Sequence, residues 1–358
     1  MIETLVREVV RKGVDKMPPG PKGKPKLQGV KEIHLDANEN QYGPSPIALK
    51  AMKEAAEMVN TYPTPAGNEL AEKLAAFHGL KPENIVLGNG SSTILEKVGT
   101  VFLNPGDEVI TCLPTFMIYI MIMENCEAKP VICKLTEDKK FDLKAMQSAI
   151  TDKTKMIWIC NPNNPTGTVV DSDELEAFIR NLPEHIITLV DEAYIDYAQE
   201  GQCRSMISLI QEKNVIVTRT FSKIYGLAGV RVGYAVANEE ICKYLRSQIM
   251  MFNINKIGIA GAYASLDDRE YYENCRKNHI SDRRYMTEEL TRLGFKVYDS
   301  QASFLYMDPP ESVSVEAVND ALRERGIYTN MSPGNIRISL GTTEQNRYVI
   351  QCLDEILQ

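Results

Sequence analysis

The sequence predicts an α/β protein with a large domain built on a mostly parallel sheet and a smaller α+β domain after it. Three observations carry this. Residues 156–160, 186–190 and 215–218 are apolar or β-branched runs, separated by segments of helical spacing at 173–180 and 205–212. Strands alternating with helices in this way form parallel sheets with crossover connections. Each run ends in a polar cluster, and in such sheets ligands bind beyond the carboxyl ends of the strands. The chain has 358 residues, more than one core usually accommodates, so a second domain is expected.

In order, residues 1–14 have the apolar spacing of an amphipathic helix, and the Pro/Gly/Lys-rich run over 17–26 cannot continue it. An arm on the body or on a partner subunit is expected there. Residues 35–46 form a polar turn cluster, 47–59 are helical in period, the prolines of Tyr62-Pro63-Thr64-Pro65 extend the chain, and Asn68 opens a helix to Phe77. Residues 85–87 make a short strand running into Gly88-Asn89-Gly90-Ser91-Ser92-Thr93 and a helix over 94–103. Strands follow at 108–112 and 129–135, then the three buried runs, and a strand at 233–236. The remainder reads as a long helical region over 239–265 broken near Asn253, a charged helix over 267–293, strands at 296–298, 304–307 and 336–340, and helices at 315–325 and the end.

Composition excludes several classes. Charged residues make up 25% with net charge -8, which is no footprint for nucleic acid. Glu3 and Glu8 interrupt the apolar residues of the first ten, so a secretion signal is not expected, and no apolar run reaches membrane-spanning length. Eight scattered cysteines without a Cys-x-x-Cys pair read as reduced core residues of a cytoplasmic protein. Four histidines lack ligand spacing, so no metal site is expected.

The chemistry concentrates at strand ends. Val215 to Thr218 delivers Thr220-Phe221-Ser222-Lys223, with Arg231 eight residues beyond the lysine. A lysine beside hydroxyls and an arginine can form a Schiff base with pyridoxal phosphate while its neighbours clamp the phosphate. The glycine turn at Gly88 to Gly90 opens a helix, whose free N–H groups and dipole suit a phosphate. Asn164 and Tyr194 can donate to a phenolate oxygen, and Asp191 can hold a ring nitrogen protonated.

These stretches, with Asn-Glu-Asn-x-Tyr-Gly-Pro-Ser-Pro at 38–46, Tyr62-Pro63, Asn-Pro-Asn-Asn-Pro-Thr-Gly at 161–167, Asp-Glu-Ala-Tyr at 191–194 and Arg-Ile-Ser-Leu-Gly-Thr at 337–342, span nearly the whole chain. In that order they resemble the fold-type-I pyridoxal-phosphate aminotransferases, most closely the histidinol-phosphate aminotransferase family. The resemblance implies an arm and part of the small domain over 1–45, a large cofactor-binding domain over 46–250 and a small domain over 251–358. It implies that Lys223 binds the cofactor covalently and then shuttles a proton between the substrate α-carbon and the cofactor. Asp191 faces the pyridine nitrogen, Asn164 and Tyr194 the 3-oxygen, and Phe116 stacks where the family usually has tyrosine. The phosphate lies among Gly90, Ser91, Ser92, Thr220, Ser222 and Arg231, with Tyr62 reaching the neighbouring subunit of a homodimer. Arg337, Tyr42 and Asn330 fall at substrate positions, with Arg337 as the anion clamp.

The implied activity moves an amino group between a small-molecule donor and a 2-oxo acid, 2-oxoglutarate by family habit. One departure bears on the donor. Family members generally carry an arginine where this chain has Asn330. A charge-assisted contact to a phosphate is worth roughly 1.5–3 kcal/mol, so both a phosphorylated donor and an unphosphorylated aromatic or specialised amino acid stay open. A lyase, decarboxylase or oxidase on the same fold is the other alternative.

Overall fold

The computed structural model describes residues 31–64, 67–332 and 334–358; the expected helix over 1–14 and the run over 17–26 lie outside them. The chain begins with β1 (Ile33–His34), then α1 (Pro46–Ala56) and α2 (Asn68–His78). Ser45 caps α1 by accepting from the Ala48 N–H, with Pro46 at the first helical position. The large sheet is built from β2 (Ile85–Gly88), β3 (Glu108–Leu113), β4 (Lys129–Lys134), β5 (Thr154–Cys160), β6 (Ile187–Asp191), β7 (Val215–Thr220) and β8 (Gly233–Val236). Between them run α3 (Ser91–Phe102), α4 (Ile118–Asn125), α5 (Leu143–Ser148) and α6 (Ser172–Arg180).

The strand order is β2-β8-β7-β6-β5-β3-β4. All neighbours pair in parallel except β8, which is antiparallel to β2 and β7. The carboxyl ends of β5, β6 and β7 therefore lie on one edge, and Cys160 pairs with Asp191 while Asp191 pairs with Thr218. Buried Ile157, Trp158, Leu189, Val190, Ile216 and Val217 form the centre of the larger apolar cluster.

The segment over 205–212 is not the expected α-helix but a 3-10 turn at Met206–Leu209. Glu192, at the end of β6, accepts from the Met206 N–H at 2.7 Å and from the Ser205 hydroxyl at 2.7 Å. Its carboxylate also pairs with Arg219 from β7 at 2.8 Å.

The break near Asn253 is real. α7 (Glu239–Ser247) and α8 (Lys256–Ser265) are separate, because Asn255 caps α8 through the Gly258 N–H. After α9 (Arg269–Arg292), β9 (Lys296–Val297), β10 (Phe304–Asp308), α10 (Val315–Glu324), β11 (Ile327–Tyr328), β12 (Asn330–Ser332), β13 (Asn335–Ser339) and α11 (Thr343–Leu357) complete the chain. An antiparallel sheet orders β12-β13-β10-β9, and β1 pairs with β11. Ile33 and Leu35 thus join Met286, Leu305, Ile338 and Leu353 in a second apolar cluster. α8 packs with the first cluster through Ile259 and Ala262. A third, small cluster of Tyr194, Tyr197, Ile224, Cys275, Ala302 and Phe304 joins the two halves beside the strand ends.

Candidate active site

The loops after β5, β6 and β7 and the start of α3 enclose a cavity of about 280 Å³. Lys223, Asp191, Asn164, Tyr194, Phe116, Ser91, Ser92, Thr220, Ser222, Arg231 and Arg337 all line it. Residues more than a hundred positions apart are brought together because parallel strands deliver every carboxyl end to one edge.

The Lys223 ammonium donates to the carbonyls of Ala37 at 3.2 Å and Asn38 at 3.1 Å. Burial lowers its pKa to about 8, helped by the positive charges of Arg337 and Arg231. A lysine so tuned supplies a neutral amine far more readily than a solvated one.

Asp191 is 2% exposed. Its Oδ2 accepts from the Tyr119 hydroxyl at 2.8 Å and its Oδ1 from the Ala193 N–H at 3.2 Å. Burial raises its pKa while these hydrogen bonds oppose the rise. A buried carboxylate with hydrogen-bond donors and no cation beside it is completed by a protonated ring nitrogen.

Tyr194 accepts from Asn38 Nδ2 at 3.0 Å, which leaves its own O–H free to donate. Burial keeps that phenol protonated. Asn164 gives its Oδ1 to Arg337 Nη1 at 2.7 Å, so its amide N–H₂ remains a donor.

At the other end, α3 begins at Ser91 with its first N–H groups uncapped by a side chain. Arg231 Nη1 donates to Ser222 Oγ at 3.3 Å and to the Ala228 carbonyl at 3.0 Å. Gly90 does not line the cavity but makes room for it: a Cβ there would lie 2.5 Å from Arg231 Nη2. The helix end, hydroxyls and guanidinium form a site for a phosphate dianion. An imine-competent lysine, an unpaired buried carboxylate, free donors and a phosphate cradle in one cavity fit pyridoxal phosphate.

Arg337 is 8% exposed. Asn164 and the Asp36 carbonyl hold its two terminal nitrogens, and its Nε has no hydrogen-bond partner among the described residues. A buried guanidinium N–H without an acceptor is uncommon, and it sits on a side chain that lines the cavity.

Tyr42, Tyr62 and Asn330 do not line this cavity; for Tyr62, expected to reach the neighbouring subunit, that is no departure. Tyr42 does not reach the cavity: its hydroxyl donates to Asp282 Oδ2 at 2.6 Å and its ring packs on His279. Burial and Asp282 raise its pKa to about 12. Tyr62 is exposed and stacks on Phe252 with centroids 4.6 Å apart, outside its own chain's cavity. Asn330 lines a second chamber of about 730 Å³, which shares Phe116, Asn164 and Arg337 with the first.

Sequence reasoning missed Asn38, Tyr119 and Cys160 as parts of the site. Asn38 lies in the quoted turn cluster, where its left-handed φ of 55° marks it. Tyr119 lies in the first turn of α4, three residues after Phe116, and the two rings meet edge to face with centroids 5.7 Å apart. Among the described residues no group of His, Cys, Asp or Glu is arranged for a metal, and no helix is long and apolar enough to cross a membrane.

A family model for aminotransferases of class I and II matches residues 30–353. Histidinol-phosphate aminotransferase 2 of Carboxydothermus hydrogenoformans is 36% identical, over 98% of this chain and 99% of its own. The histidinol-phosphate aminotransferase of Moorella thermoacetica is 36% identical, over 92% of this chain and 86% of its own. Among solved structures, histidinol-phosphate aminotransferase from Sinorhizobium meliloti in complex with pyridoxal-5'-phosphate is similar with a TM-score of 0.86 and 27% identity, covering 92% of this chain and 91% of that one. Aspartate aminotransferase from Thermus thermophilus with maleate gives 0.82 and 26%, covering 92% of each chain.

Proposed function

The chain belongs to the class I and II aminotransferase family and is a pyridoxal-phosphate-dependent aminotransferase; from that premise we propose that its amino donor is histidinol phosphate and its acceptor a 2-oxo acid such as 2-oxoglutarate. The observation that carries the donor is Arg337, which lines both the catalytic cavity and the second chamber: a phosphate borne on the carbon next to Cα would meet its guanidinium, and the chamber offers room for the imidazole side chain. Relatives named for histidinol phosphate along the full length support it.

When bound, the cofactor supplies an electron sink that makes the substrate Cα–H acidic. The chain's residues do the rest. Asp191, held by Tyr119 and the Ala193 N–H, keeps the pyridine nitrogen protonated. Asn164 and Tyr194 would donate to the 3-oxygen, and Phe116 would pack on the ring. Ser91, Ser92, Thr220, Ser222 and Arg231 hold the phosphate. Lys223 Nζ, with its pKa drawn toward neutrality, takes the proton from the substrate α-carbon. Arg337 binds the substrate anion through the N–H that nothing else satisfies.

A homodimer belongs to the same reading. Exposed Met58, Tyr62, Met250, Met251 and Phe252 are large apolar side chains of the kind a subunit interface covers, and Tyr62 faces away from its own cavity. Two separate apolar clusters support a large and a small domain, with Ile33 and Leu35 joining the small one, but Ile254, Ile259, Ala262 and Leu266 belong to the large cluster, which moves the second boundary from 250 to beyond α8; eight free thiols support a cytoplasmic setting.

The test is a single-turnover absorbance trace of the holoenzyme with histidinol phosphate and no 2-oxo acid. Conversion of the cofactor to its amino form at a rate unmatched by histidinol, phenylalanine or tyrosine is expected. A trace that responds only to an unphosphorylated amino acid overturns the donor. Turnover without accumulation of the amino form signals a lyase or oxidase instead.

A further inference from the structure

We propose that Asn38 and Ser339 are positioning residues of the cofactor site: between them they fix the direction of the Tyr194 hydroxyl, so that its proton is aimed at the cofactor's 3-oxygen. This rests on the role given to Tyr194 above and names what sets its proton.

Residues 35–38 tie the two halves of the molecule together. The Leu35 carbonyl accepts from the Ser339 N–H at 2.9 Å, the Asp36 carbonyl from Arg337, and the Ala37 and Asn38 carbonyls from Lys223. Asn38 is 2% exposed and Ser339 is fully buried. Asn38 has a left-handed φ of 55°, a conformation asparagine adopts more readily than most residues.

The hydrogen bonds here run in one direction. The Asn38 backbone N–H, which can only donate, gives to Ser339 Oγ at 2.9 Å. The Ser339 hydroxyl in turn donates to Asn38 Oδ1 at 2.9 Å. With its oxygen engaged, the amide presents Nδ2 to the Tyr194 oxygen at 3.0 Å. Tyr194 accepts on that side, and its own proton is left for the cavity that it lines. The opposite rotation of the amide would set Oδ1 against Tyr194 and draw the phenol proton onto it. It would also leave the buried Ser339 hydroxyl without an acceptor, which folded proteins avoid. The backbone thus sets the amide, and the amide sets the phenol.

The ring is seated from the same side. Phe304 meets Tyr194 edge to face with centroids 5.0 Å apart, and Phe304 pairs with Ser339 between β10 and β13. A tyrosine delivered by β6 of the large sheet therefore has its orientation decided by the sheet of the other domain.

The consequence is optical as well as catalytic. A donor to the 3-oxygen favours the state in which the neighbouring Schiff-base nitrogen has lost its proton, because that state leaves more negative charge on the oxygen. Weakening the Tyr194 donation raises the pH at which the cofactor's absorbance band changes. The charged groups facing Lys223 are Arg337, Arg231, Asp191 and Glu39, and Tyr194 faces Asp191, Arg337 and the Cys160 thiol. None of these is altered in the variants below.

The experiment titrates the absorbance of resting holoenzyme against pH, without substrate, beside the Tm of each apoprotein. Wild type is compared with Asn38→Gly, Ser339→Ala, the double variant and Tyr194→Phe. Glycine takes φ 55° without strain, so the segment keeps its path while the amide is lost. Tyr194→Phe removes the whole donation and is expected to raise the midpoint about 1–2 pH units. Asn38→Gly is expected to raise it roughly 0.5–1 pH unit, which is part of that full loss, and Ser339→Ala by less. The double variant should go no further than Asn38→Gly alone, since Ser339 acts through Asn38. An Asn38→Gly midpoint equal to wild type overturns the proposal whatever happens to Tm, as do additive shifts in the double variant. Should Asn38→Gly fail to hold the cofactor, Ser339→Ala decides, and an unmoved midpoint there overturns the proposal. A Tyr194→Phe midpoint equal to wild type shows instead that Tyr194 does not reach the 3-oxygen, and the reading of the site falls first and the proposal with it.

Discussion

Replacing Gly90 by alanine tests the phosphate cradle by displacing the Arg231 guanidinium without removing it. Gly90 has φ 79° and ψ 160°, a region open essentially to glycine alone, so an alanine there costs about 1–3 kcal/mol of backbone strain. Its Cβ would lie 2.5 Å from Arg231 Nη2 and 3.1 Å from Arg231 Cζ. Real contacts are not that short, and the guanidinium is the mobile partner, so it must leave its place beside Ser222 and the Ala228 carbonyl. A charge-assisted hydrogen bond is worth about 1.5–3 kcal/mol, so its loss weakens cofactor binding roughly 10- to 150-fold. The assay is titration of apoprotein with pyridoxal phosphate, followed by absorbance, beside the apoprotein's Tm. A Tm lower by a few degrees together with the weakened Kd is expected. A variant that holds the cofactor as tightly as wild type refutes the cradle, and one that loses only Tm shows that Arg231 does not reach the phosphate.

Two further predictions follow from the same cavity. The pKa of Lys223, lowered to about 8 from 10.5, makes half of its amine neutral at that pH, so covalent capture of pyridoxal phosphate by apoprotein should accelerate with a midpoint near pH 8 and level off about one unit above it; a midpoint near that of an ordinary lysine in stopped-flow traces would contradict the burial argument. Tyr119→Phe removes the hydroxyl 2.8 Å from Asp191, which raises the Asp191 pKa further and loosens its hold on the ring nitrogen; kcat should fall roughly tenfold with KM little changed, and a wild-type kcat would deny Tyr119 this positioning role.

What could be read along the chain was what depends on near neighbours in sequence. The apolar runs that became β5, β6 and β7 are buried on both faces, so their composition alone marks them, and the polar residues at their ends line one cavity because parallel topology collects strand ends. Lys223, Asp191, Asn164 and Arg231 were legible for that reason. The glycine turn before α3 was legible because helix ends have a fixed chemistry. The pattern failed where a distant side chain outcompeted a local preference. Asp282 drew Tyr42 away from the cavity.

Only the tertiary structure could place β8 antiparallel between β2 and β7, since pairing partners are not encoded by a strand's own period. Nor could sequence spacing show that Tyr119 supports Asp191 across 72 positions or that Asn38 reaches Tyr194 across 156. The sequence determined which chemistry the chain carries, because residue types at strand and helix ends do not depend on distant contacts. The folded structure decided which charges face the substrate, because electrostatic neighbours are set by distance through space.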